Sequence, residues 1–127
     1  MESVCISSME QGYDVMEQFH RPWGHYENLF TDIGYKVKRL VVKPNKRLSL
    51  QYHFKRTEHW VVVEGSGSVL IGDEEWVATV GSKYYIEKKQ THRITGGPKG
   101  LTIIEVQIGD ECIEEDIVRI EDDYDRL

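Results

Sequence analysis

The 127-residue sequence holds only two cysteines, Cys5 and Cys112, near opposite ends and without the close spacing of a thiolate metal site. A cysteine-ligated metal is therefore excluded, and free buried thiols in a reducing cytoplasm are expected in preference to a Cys5–Cys112 disulfide. No apolar run approaches the roughly 20 residues that cross a bilayer as a helix. Met1 to Glu10 lacks the basic start and apolar stretch of a secretory signal. A cytoplasmic chain with no membrane partner is expected. Positive charge is also scarce, with 16 Lys and Arg against 22 Asp and Glu for a net charge of −6. That deficit is local. Asp110 to Leu127 carries nine carboxylates against two arginines, a balance of −7, which leaves the remainder at +1. Nothing supplies the broad basic face that nucleic acid requires, although a local cationic pocket for a small anion remains open. The acidic tail is expected to be a solvated face.

What is present fits one domain with one core, with 39% hydrophobic and 30% charged residues and no internal repeat or low-complexity linker. Residues 1–20 are polar and read as an N-terminal arm, either a short helix or irregular. Arg21-Pro22-Trp23-Gly24 then punctuates the chain, and residues 21–127 read as the folded domain. Strand signals recur from Tyr26 onward. Tyr35 to Val42 is β-branched and stops at Pro44-Asn45, and Leu48 to His53 alternates in character. His59 to Val63 stops at Glu64-Gly65-Ser66-Gly67, and Ser68 to Ile71 stops at Gly72-Asp73. Trp76 to Val80 and Lys83 to Ile86 follow, and Leu101 to Ile108 closes the series after Gly96-Gly97-Pro98. Short strands without a helical pattern between them predict an all-β antiparallel sandwich or barrel.

One constellation carries chemistry. In a strand, residues two apart share a face. Ser49, Gln51 and His53 therefore point together, and Leu48, Leu50 and Tyr52 point away. After a turn at Lys55 to Thr57, Glu58 can return beside that pair, and His92 follows in a later turn, Glu87 to His92. Imidazoles, a carboxylate and an amide suit one divalent ion such as zinc, manganese, cobalt or iron(II), with positions left open for substrate. By spacing alone, a second reading stands beside this one: histidines hydrogen-bonded to a nearby carboxylate, with no metal.

The stretch from Gln51 to Gly65 resembles the first cupin motif, with Gln51 where many cupins have a histidine. Gly81, Glu87 and His92 resemble the second motif, with Glu87 and Lys89 in place of its usual proline and glycine. A closer resemblance covers nearly everything from Arg21 onward. It runs through Arg21 to Tyr26, Val37-Lys38-Arg39, Leu48 to His53, Arg56 to Val62, Ile104 to Gly109 and Glu115 to Arg119. These runs resemble the C-terminal isomerase domain of bifunctional mannose-1-phosphate guanylyltransferase/mannose-6-phosphate isomerases, the type II phosphomannose isomerases. That family's terminal run usually ends Tyr-Gly-Arg, where this chain has Tyr124-Asp125-Arg126.

The resemblance implies a single cupin domain (a double-stranded β-helix, or jelly-roll barrel) with Gln51, His53, Glu58 and His92 as metal ligands. It implies interconversion of mannose 6-phosphate and fructose 6-phosphate through an enediolate. The nucleotide-binding loop of the transferase half has no counterpart before Arg21, so nucleotidyl transfer is not expected, and a separate guanylyltransferase is a candidate partner. Arg56 corresponds to an arginine linked with isomerase activity. It reads either as a group at the site's rim or as a solvated turn residue. Arg21 and Lys38 are candidate phosphate partners or ordinary surface charges. Glu105 is a candidate proton-transfer base, or else a hydrogen-bonded partner of a ligand histidine or of Lys38. Arg93 is expected to point out of the barrel, and His59 lies on the wrong strand face to be a ligand. Two other functions stay open: a non-catalytic metal- and sugar-binding cupin, or an isomerase or epimerase of another phosphorylated sugar or sugar nucleotide. A homodimer is expected, with Leu48 and Leu50 as outward aliphatic residues suited to its interface.

Overall fold

The computed structural model describes residues 17–127. Nine strands follow in chain order: β1 (Phe19–Arg21), β2 (Gly24–Asp32), β3 (Tyr35–Val42), β4 (Leu50–Tyr52), β5 (Arg56–Ile71), β6 (Glu74–Thr79), β7 (Lys83–Ile86), β8 (His92–Gly109) and β9 (Val118–Glu121). All pairings are antiparallel, and no helix is found among the described residues. No described helix is thus long and apolar enough to cross a membrane. Most of the expected arm, including Cys5, lies outside the described residues. Its last two residues, Phe19 and His20, are already part of β1.

Two long strands organise the barrel. The first half of β5 pairs with the last half of β8, from Arg56↔Gly109 to Gly65↔Leu101, and the remainder of β5 pairs with the start of β8, from Gly67↔Gly96 to Ile71↔His92. β3 flanks the outer half of β8, and β7 flanks the first half of β5, so one sheet runs β1-β2-β3-β8-β5-β7. The second sheet runs β9-β4-β8-β5-β6 through the other halves. The expected breaks at Gly65-Ser66-Gly67 and Gly96-Gly97-Pro98 are therefore bends within continuous strands. Register shifts at Val62/Glu64 and Gly65/Gly67 let each strand pass from one sheet to the other. Gly67 is required there, because a Cβ would stand 2.1 Å from the Thr95 carbonyl oxygen.

The inward face is sorted by polarity along the barrel axis. Leu40, Ile103 and Val62 form one register layer, Lys38, Glu105 and Trp60 the next, and Lys36, Gln107 and Glu58 the third. All nine side chains are buried. One end is closed by Val42, Val62, Val69, Ile94, Leu101 and Ile103. The other end is lined with groups that bond and titrate, and this arrangement places the site.

Several local expectations are corrected. The acidic tail keeps most of its carboxylates at the surface, as expected, but it is also part of the fold: β9 pairs with β4, and Tyr124 packs on the core while its hydroxyl donates to the Arg47 carbonyl (3.1 Å). Leu48 is not outward but belongs to the buried core. Arg93 lies on the strand face opposite His92 and Ile94, pointing out of the barrel as expected, but it is covered there. It is buried, and donates to the Leu48 carbonyl (3.0 Å) and to Glu121 (3.2 Å). His92 is not in the turn but opens β8. That turn uses the left-handed region without a glycine. Lys89 adopts φ 65°, and its N–H donates to the His53 carbonyl (2.6 Å), tying the two motif segments together. A side chain in this left-handed region is strained. Lys89→Gly is therefore expected to stabilise the fold by about 0.5–1 kcal/mol, measured as a raised denaturation midpoint at unchanged slope.

Candidate metal centre

The alternation of β5 turns Arg56, Glu58, Trp60 and Val62 inward and leaves His59 exposed, so Glu58 meets the site and His59 does not. His53 follows β4 directly, and β4 places Gln51 opposite His92 on the first residue of β8. His53, Glu58 and His92 are all buried, and their ligand atoms lie within 4.8 Å of one another. His53 Nε2 is 3.3 Å from Glu58 Oε2, and His92 Nε2 is 4.0 Å from Glu58 Oε1.

The donor set fits a divalent ion. His53 Nδ1 lies 2.6 Å from the Asp116 carbonyl oxygen, and His92 Nδ1 lies 2.9 Å from that of Gln90. A carbonyl can only accept, so each Nδ1 carries the proton and each Nε2 turns a lone pair toward the carboxylate. Metal-ligating histidines are oriented in this way. Burial, helped by the Arg56 and His92 charges and opposed by Glu58, drives the His53 pKa down to about 4. Burial likewise lowers that of His92. Both rings are then neutral at pH 7. Burial alone would raise the Glu58 carboxyl, but His92, Arg56 and His53 outweigh it and hold Glu58 well below the usual carboxylate range. Gln51 lines the same pocket, its amide nitrogen 3.4 Å from the Ser49 carbonyl oxygen.

Arg56 is neither a rim residue nor a solvated one. Its side chain is only 5% exposed, because the segment after β8 folds over it. Nε donates to Glu58 Oε2 (2.8 Å), Nη1 to the Ile113 carbonyl (3.1 Å), and Nη2 lies 3.2 Å from His53 Nε2. Trp60 donates from its indole nitrogen to Glu58 Oε1 (3.0 Å), so both carboxylate oxygens are held. Lys38 is buried above the Tyr26 ring and paired with Glu114 (2.8 Å). Arg21 packs over the same ring and donates to the Tyr26 hydroxyl (3.3 Å). Sequence reasoning missed Trp60, Glu114, Asp116 and Arg119. The signal for Asp116 and Arg119 was their place in the run Glu115 to Arg119, which the resemblance already covered. Cys112 is a free, half-buried thiol.

Glu105 faces inward between Lys38 and Trp60, and Gln107 donates to its Oε2 (2.6 Å). Burial and the Glu58 charge raise its pKa to about 8, against the pull of Lys38 and Arg56. The folded chain thus holds a proton that the unfolded chain gives up near pH 4.5. Its contribution to stability is complete below that value and is lost as pH rises toward 8, with a slope of up to about 1.4 kcal/mol per pH unit. Between pH 5 and 8, metal-free wild type is expected to lose denaturant stability relative to Glu105→Gln, which should be flatter across the window.

These groups surround one pocket of about 640 Å³, its open mouth included. A curled antiparallel double sheet with a His–Glu–His cluster inside it defines a cupin. The solved structures it resembles agree on the fold. Oxalate decarboxylase from Bacillus subtilis superposes with a TM-score of 0.71 at 18% identity, over 85% of this chain and 31% of that one. The capsular polysaccharide assembling protein CapF from Staphylococcus aureus gives 0.69 at 18%, over 84% and 34%. A family profile described as mannose-6-phosphate isomerase C-terminal matches residues 9–122. The chain belongs to that family. Among curated relatives, xanthan biosynthesis protein XanB of Xanthomonas campestris is 45% identical over 84% of this chain. Alginate biosynthesis protein AlgA of Pseudomonas aeruginosa is 42% identical over 86%. Mannose-1-phosphate guanylyltransferase ManC of Salmonella typhimurium is 40% identical over 87%. The chain spans 23% of the length of each of these relatives.

Proposed function

We propose that this chain is a metal-dependent aldose–ketose isomerase acting in the cytoplasm on mannose 6-phosphate and fructose 6-phosphate. The observation that carries the reading is the His53–Glu58–His92 cluster, its two imidazoles presenting Nε2 into the pocket of a chain from this family. His53, Glu58 and His92, with Gln51 beside them, would hold one divalent cation, of zinc, manganese, cobalt or iron(II) type. Bound there, the cation supplies Lewis-acid stabilisation of the charge that develops on the sugar's carbonyl and hydroxyl oxygens.

The remaining work falls to the chain's own groups. The reaction moves a proton between C1 and C2 of the open-chain sugar. Glu105 is the proposed carrier, since a carboxyl with a pKa of about 8 exchanges protons readily near neutrality. Arg56 fixes Glu58 and His53 in orientation and supplies positive charge beside them. Tyr26, Lys38 and Glu114 line the pocket beside them, and the segment after β8 covers Arg56.

The test is an isomerase assay on metal-stripped chain refilled with one metal at a time. Turnover that returns with one or more divalent ions supports the reading, and tight sugar phosphate binding with no turnover under any ion overturns it. The second reading, a non-catalytic metal- and sugar-binding cupin with a separate guanylyltransferase as partner, predicts that second outcome. Homodimerisation is part of the proposal, on a face other than that of buried Leu48. A monomer by light scattering would remove it.

A further inference from the structure

Five Lys or Arg side chains reach the pocket, and their partners differ. Lys38 is paired with Glu114 and Arg56 with Glu58. Arg126 is held by Asp122 through Nε (2.8 Å), Nη2 (2.9 Å) and its backbone N–H (2.7 Å). Arg21 donates to two neutral oxygens, the His20 carbonyl and the Tyr26 hydroxyl. Arg119 makes no ion pair with any described residue, and its Nε is buried with no hydrogen-bond partner among them. Folded proteins seldom leave such a donor unmet, because its hydration is lost and nothing replaces it.

Strand register shows where Arg119 stands. It lies opposite Gln51 across the β9–β4 pair, and Gln51 lies opposite His92 across the β4–β8 pair. Residues directly opposite share a face of the sheet. Arg119 therefore belongs to the same inward row as His92, two strand spacings or about 10 Å away. A hexose 6-phosphate carries its reacting carbons at one end and its phosphate at the other. With the reacting end at the His–Glu–His cluster, the phosphate falls two strands over.

We infer that Arg119, with Arg21 beside it, clamps the phosphate of the sugar phosphate at the end of the pocket away from the metal cluster. The choice of sugar rests on the isomerase reading above, whereas the anion site stands on its own observations. A guanidinium fork suits a phosphate through paired N–H···O bonds, which a lysine cannot reproduce. Burial and the Arg126 and Arg21 charges oppose the ionisation of Arg119, and an arriving anion relieves that opposition. Lys38, the other candidate phosphate partner from the sequence, already has its carboxylate in Glu114.

Calorimetric titration of the full chain with mannose 6-phosphate and with mannose tests the assignment, with metal content and circular dichroism recorded in parallel. Wild type is expected to bind the phosphorylated sugar at least about tenfold tighter than mannose, and Arg119→Gln to erase most of that preference at unchanged metal content. Where turnover is measurable, Arg119→Gln should raise KM far more than it lowers kcat. A wild-type chain without the preference, or a folded Arg119→Gln that keeps it, overturns the clamp. Should Arg119→Gln fail to fold, Arg119→Lys decides: a loss of at least about threefold supports the fork, and an unchanged preference overturns it. A preference that depends on Arg119, found without isomerisation under any metal, defeats the isomerase reading and leaves the clamp standing.

Discussion

Glu58→Gln is expected to lose the metal and to lower mannose 6-phosphate turnover by at least about a thousandfold, the scale set by several kcal/mol of Lewis-acid stabilisation. The carboxylate is the only acid in the His53–Glu58–His92 cluster. An amide offers the cation a dipole where it had a full charge. The same substitution is expected to cost the metal-free fold about 3–5 kcal/mol, because it strands the buried Arg56 guanidinium without its counter-charge. Elemental analysis, turnover and urea denaturation separate these effects. The double variant Arg56→Gln, Glu58→Gln should recover part of the stability, since no uncompensated charge remains, and none of the metal binding. A Glu58→Gln chain that retains one metal per protomer and wild-type turnover would remove the carboxylate from the centre. A double variant whose loss equals the sum of the Arg56→Gln and Glu58→Gln losses would show that the Arg56–Glu58 pair carries no coupling.

What the sequence made legible was whatever depended on short range. The period of two puts Gln51 and His53 on one face and takes His59 off it, and the barrel honours both readings. The inward set Ile103, Glu105 and Gln107 follows from the same alternation. Two kinds of feature were hidden. Gly65-Ser66-Gly67 and Gly96-Gly97-Pro98 look like chain breaks, yet both lie inside ladders that persist on either side. Glycine weakens a strand locally but also lets it bend, and a long-range partner decides which effect wins. The second kind is pairing across distance. Lys38 meets Glu114 at a separation of 76 residues, and Arg47 meets Asp123 at the same separation. The acidic tail reads as solvated because its carboxylates dominate its composition. Their partners lie in β3 and in the segment before β4, where the cations read as surface charges or as a phosphate contact. Arg56 shows the same blindness, since a turn residue next to Lys55 is buried only if something covers it, and the cover is Ile113.

That cover carries the second large effect. Asp116 reaches the site three times: its carboxylate accepts from the Phe54 N–H (2.9 Å) and the Lys55 N–H (3.0 Å), and its carbonyl accepts from His53 Nδ1 (2.6 Å). The first two contacts fix the turn between β4 and β5, and the third fixes the tautomer that presents Nε2 to the centre. Asp116→Ala removes the carboxylate and leaves the carbonyl. The substitution is expected to cost about 2 kcal/mol for two partly solvated hydrogen bonds. It should also weaken metal binding by about 10–100-fold, because His53 loses the support that aims it. Competition against a chromogenic chelator measures the affinity, and urea denaturation of the stripped chain measures the stability. Asp116→Asn keeps an acceptor for one of the two N–H groups and should fall between. A chain ending at Gly109 would lose β9 as well, exposing one edge of β4, whose other pairing in the ladder is the single register contact Gln51↔His92. Such a chain should bind no metal even with all of His53, Glu58 and His92 present, because those side chains need the tail to hold them in one geometry. If the truncated chain still takes up one equivalent of metal at wild-type affinity, the tail is covering and nothing more, and the aim of His53 must come from β4 alone.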